Sequence, residues 1–148
     1  MFITISYSCT FPPLIQTIPH EKLISNTKDI VLARVVSGKS ISGLYTVKYN
    51  LEVIEQIKGK SKKTFEIEGS SLTSPNEASD FNNHSDVEFW QGSGRIYNDP
   101  ACSITPSFSV GNNYLIFINS WEYNHVKSFE LILSSNDLWY KKVKEVVD

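Results

Sequence analysis

The sequence predicts an all-β fold with flanking helices: a five-stranded antiparallel barrel of the oligonucleotide/oligosaccharide-binding (OB) type, with a short amino-terminal helix and a carboxy-terminal helix. Three observations lead there. Five segments are rich in β-branched and aromatic residues, and turn residues bound each one. Helical signals occur only near the two ends. A small barrel is the simplest closed solution for five strands.

The elements follow in order. In "PPLIQTIPHEKLISNTKD", Pro19 suits a first helical position, and Glu21 to Ser25 give one or two turns before Asn26. "DIVLARVVSG" mixes Ile30, Leu32 and Val35 with Val31 and Val36, a mostly buried strand ending at Gly38. In "GLYTVKYNLEVIEQIKG", Tyr45, Val47, Tyr49, Leu51 and Val53 alternate with polar residues, so one face is dry and one wet. Gly59 closes that strand, the basic turn "KGKSKK" reads as solvated punctuation, and "TFEIEG" returns as an antiparallel partner. From about 70 to 106 the period vanishes into an irregular excursion, which Phe81, Phe89, Trp90, Tyr97 and Cys102 are expected to pin to the barrel. Order resumes with strands at Tyr114 to Ile118 and Lys127 to Leu133. The last helix is expected to be capped by Ser134 or Ser135, with Leu138, Trp139, Val143 and Val146 as its apolar stripe.

Composition narrows the function classes. The 148 residues are 41% hydrophobic and 20% charged, a globular balance for one domain. The net charge of −2 is not that of a protein that binds by neutralising phosphates, so no nucleic-acid partner is expected. No apolar run approaches the roughly 18 residues that span a bilayer.

The amino terminus carries a signal of its own. "MFITISYS" ends in a small-x-small pattern at Ser6 and Ser8, the spacing a signal peptidase reads before Cys9. Residues 1–8 are therefore read as the remnant of a leader and 9–148 as the domain, secreted or periplasmic. The alternative is an ordinary first strand beginning at Phe2. The chain has two cysteines, Cys9 and Cys102, 93 residues apart. In a secreted chain an even count reads as a disulfide, worth about 4–5 kcal/mol as a ceiling for so long a loop.

Chemistry-bearing residues are sparse. His84, Asp86 and Arg95 form the one polar cluster that invites a catalytic or metal reading, and a hydrolase using His84 and Asp86 is the enzymatic alternative. Catalytic zinc needs three protein ligands and structural zinc four, so neither a metal nor a cofactor is expected. There is no nucleophile elbow, phosphate loop or HExxH, so an enzyme is not expected. A glycan- or oligonucleotide-binding barrel is a second alternative, with Tyr49, Trp90 or Trp121 as exposed stacking platforms.

One resemblance sharpens this. "CTFPP", "DIVLARVVSGKS", "YTVKYNLEVIEQIKG" and "TFEIEG" are similar to the amino-terminal domain of the tissue inhibitors of metalloproteinases, within the netrin-like OB barrels. "HSDVEFWQGSGRIYNDPAC", "VGNNYLIFI", "KSFELI" and "DLWYKKV" resemble bacterial proteins of that class. The resemblance implies a protein-binding module whose partner is an extracytoplasmic protein such as a metalloprotease. It implies that a mature Cys9 would chelate the protease zinc through its free amine and carbonyl oxygen, with Thr10 toward the specificity pocket and Phe11 and Pro12 beside it. The family motif is Cys-x-Cys. Here either Phe11 replaces the second cysteine, or Cys9 is the second and Tyr7 replaces the first.

Overall fold

In the computed structural model, the described residues are 16–41, 46–70, 82–91, 94–96, 106–120 and 125–148. The order along the chain is β1 (Gln16–Ile18), α1 (His20–Asn26), β2 (Asp29–Ser40), β3 (Thr46–Lys58), β4 (Thr64–Ser70), α2 (Val87–Trp90), β5 (Gly94–Ile96), β6 (Asn113–Ser120), β7 (His125–Leu131) and α3 (Leu138–Val147). Five strands form one antiparallel sheet in the order β4-β3-β2-β6-β7, and β1 pairs with β5 in a separate two-stranded ladder. Among the described residues no ladder joins β4 to β7, so the hydrogen-bonded sheet is open where a closed barrel was expected.

Alternation along the central strands builds two cores, one on each face. Val31, Ala33 and Val35 of β2 point with Tyr114, Ile116 and Ile118 of β6 into the first. Ile30 and Leu32 point with Leu115 and Phe117 into the second. A strand buried on both faces carries an unbroken apolar run, as "IVLA" does, whereas Arg34 and Val36 beyond it are exposed. The first core also takes Ile67 from β4 and Phe129 and Leu131 from β7, so the inward faces of both edge strands meet in one apolar cluster. A sheet must curl strongly for that to happen.

The gap between the edges is filled by residues 106–109. Phe108 is fully buried, with its ring 5.1 Å from Tyr49, 4.9 Å from Tyr114 and 5.2 Å from Phe129, all edge-on. The Ser109 amide donates to the Tyr114 hydroxyl at 2.8 Å. Gly69 of β4 lies so close to the Pro106 carbonyl that a β-carbon would overlap it.

The second core is the helical side. α1, α2 and α3 cover β2 and β6 with Leu23, Ile24, Phe89, Trp139, Tyr140 and Val143. Trp139 stacks on Phe117 at 5.8 Å with 14° between the planes. The stripe of α3 differs from the expected one: Trp139, Tyr140 and Val143 are buried, while Leu138 and Val146 are exposed. Its cap differs too. Asp137, not Ser134 or Ser135, accepts the Tyr140 amide through Oδ1 at 2.9 Å. An ionised carboxylate at this position satisfies an orphan N–H and faces the positive end of the helix.

Candidate functional site

One polar residue of the excursion, His84, enters an interior cluster beneath the helices. His84 precedes α2 in a short turn and is 2% exposed. Its Nδ1 lies 2.7 Å from Asp137 Oδ2, and its Nε2 lies 3.7 Å from Glu130 Oε1, which is 1% exposed. A carboxylate only accepts, so Nδ1 carries the proton given to Asp137. Its backbone carbonyl accepts a hydrogen bond from Trp90 Nε1. Burial pushes the imidazole pKa down, but the Asp137 hydrogen bond and the charges of Asp137 and Glu130 outweigh it, leaving the group above its ordinary 6.5.

Aromatic rings wall the cluster. Phe89 lies 4.9 Å from His84 and 5.1 Å from His20, and Trp90 and Trp139 lie 5.1 and 4.9 Å from His20. His20 faces the same rings from α1, and burial holds its pKa below the ordinary value. Among the described residues no group of three His, Cys, Asp or Glu side chains is arranged to hold a metal ion. The arrangement is a charged clamp sealed by rings, joining residues 82–91 to β7 and to the start of α3.

The sequence-predicted residues fall differently. His84 is brought to Asp137 and Glu130, not to Asp86. Asp86 is exposed at the start of α2 and accepts from Asn83 Nδ2 at 3.1 Å. A hydrolase built on that pair would have its imidazole turned inward and its carboxylate outward. Arg95 lies in β5 opposite Thr17. Tyr49, expected as an exposed platform, is fully buried in the first core. Trp90 is half-buried, its N–H committed to His84. Cys9, Thr10, Phe11, Pro12, Cys102 and Trp121 lie outside the described residues. No helix among the described residues is long and apolar enough to cross a membrane.

Two features escaped the sequence reading. Asp137 and Glu130 lie 53 and 46 residues from His84, with no local signal of the meeting. The β1–β5 ladder pairs Gln16 with Ile96, Thr17 with Arg95 and Ile18 with Gly94, six residues too short to show a period. It fastens the start of the described chain to the excursion. No protein-family model matches the chain, and no curated protein gives a significant match.

Proposed function

We propose that the chain is an extracytoplasmic protein-binding module on an OB-type barrel, akin to the netrin-like domain of metalloproteinase inhibitors. Its binding end would be the segment Cys9–Pro12, held against the excursion by a Cys9–Cys102 disulfide. The observation that carries this reading is the β1–β5 register. Each pair in that ladder adds to the same total as Gln16 and Ile96, and Cys9 with Cys102 falls one short of it. The two chain directions that leave the ladder are those that carry the cysteines, and a pairing continued in the same register would set Cys9 diagonally across from Cys102. Cross-strand neighbours fall within the Cα separation a disulfide needs.

The strand order supports the barrel. An edge-to-edge pairing of β4 with β7 is the one step that would close β4-β3-β2-β6-β7, and the two edges already share a core through Ile67, Phe108 and Phe129. A tied amino-terminal segment is also what an inhibitor requires, because ordering a loose one on binding costs affinity.

The test is inhibition. Mature protein beginning at Cys9, titrated against a panel of zinc metalloproteases, is expected to inhibit at least one, and acetylation of the Cys9 amine is expected to abolish it. Inhibition that survives acetylation would contradict the chelating mechanism, and no binding across the panel would contradict the partner class.

A further inference from the structure

Residues 82–91 contribute little regular structure, a four-residue helix and its approach. Two anchors hold them to the body, the Phe89 ring in the second core and the His84 ring between two carboxylates, while the Trp90 N–H on the His84 carbonyl ties the segment to itself. The segment leads within a few residues to β5, and β5 holds β1.

We propose that His84 is a pH-operated latch: as an imidazolium gripped by Asp137 and Glu130 it docks residues 82–91 on the helical face, and its deprotonation loosens that segment and the β1–β5 ladder behind it while the main sheet stays folded. The inference stands without the binding reading.

The chemistry lies in the two ring nitrogens. The cation gives Nδ1–H to Asp137 and turns Nε2–H toward the Glu130 charge across 3.7 Å, an ion-pair separation longer than a hydrogen bond. The neutral ring can still give Nδ1–H to Asp137, but Nε2 then turns a lone pair toward the Glu130 oxygen 3.7 Å away, inside a medium that screens poorly. Among the described residues, the groups facing His84 come from β7, α3, α1 and α2. Glu130 comes from β7 and Asp137 from the start of α3, and both favour the cation. His20 approaches from α1 across the Phe89 ring, and burial favours its neutral form. Glu88 and Asp86, at α2, are exposed, and Lys142 pairs with Glu21 at 3.6 Å between α3 and α1.

The sign follows. A group whose docked pKa stands above 6.5 contributes fully below that value and loses its contribution as pH rises through the docked pKa. Each pKa unit of elevation weakens docking by a factor of about ten once the proton is gone.

Hydrogen exchange followed by mass spectrometry, corrected for intrinsic rates, tests this from about pH 6 to about pH 9. Peptides covering 82–96 are expected to lose protection as pH rises, while β2 and β3 peptides do not. In His84→Gln the 82–96 protection is expected to be flat with pH. Asp137→Asn keeps an acceptor for the cap and is expected to lower the His84 pKa, read from its ring-proton NMR shift. Protection at 82–96 that does not change with pH in the wild type, the same change in His84→Gln, or a wild-type His84 pKa at or below 6.5 would each overturn the latch.

Discussion

At position 59 the chain leaves β3 with φ of +74°, and the room there is set by one carboxylate. Buried Asp29 accepts the Lys60 amide through Oδ1 at 2.9 Å, and a β-carbon on Gly59 would overlap that same oxygen and the Lys28 carbonyl. Conformation and contact both demand glycine. Gly59→Ala is expected to destabilise by about 1–3 kcal/mol in denaturant titration, by combining left-handed strain with a displaced buried hydrogen bond. An unchanged midpoint would show that the turn re-forms elsewhere. Trp139 is the other decisive single residue. It is 1% exposed and contacts Phe117, Phe89, Trp90 and His20, so Trp139→Ala is expected to cost about 3–5 kcal/mol. Tryptophan at this place was legible as an anchor from its spacing with Val143. The burial of Tyr49 was legible too, since it alternates in phase with Val47 and Leu51; reading it as a ligand platform went against its own strand's pattern.

Among the elements, α1 has no basic residue in its last turn, and β3 supplies the missing cation. Lys58 Nζ donates to the Ile24 carbonyl at 2.8 Å and lies 3.2 Å from that of Ser25, which satisfies carbonyls the helix leaves open and complements its negative end. Lys58→Met is expected to lower stability by about 0.5–1.5 kcal/mol and to speed amide exchange in α1. Exchange unchanged in α1 would leave that bond without energetic weight. α3 is fastened to β3 in a similar way. The Tyr140 hydroxyl donates to Glu55, and Lys144 Nζ lies 2.8 Å from Glu55 Oε1. Burial and the Glu55 hydrogen bond raise the tyrosine pKa. Strands β2 and β3 were readable because their alternation runs over many residues. In β7, Ser128 and Glu130 alternate with Phe129 and Leu131, yet both are buried, Glu130 beside His84. Period two separates the two faces of a strand and says nothing of what lies over the polar one. The three-residue β1 and β5 gave no period at all, and the capping aspartate lost to two serines that compete for the same turn.

At the scale of the molecule, one sheet separates two cores, and residues 82–91 are bound on the helical side. The five strands of the sheet, the β3–β4 pairing and both end helices were legible because they rest on local periodicity and a short turn. The His84 clamp and the β1–β5 pairing were not, because both are long-range meetings of short, irregular segments. Those two features give the excursion its proposed role: it holds the amino-terminal segment, through the ladder and through sulfur. Thiol labelling of the protein recovered from an oxidising compartment, read by intact mass, tests that union most directly. The account predicts no label on Cys9 or Cys102 until reductant is added, then two. Two labels without reductant would contradict it.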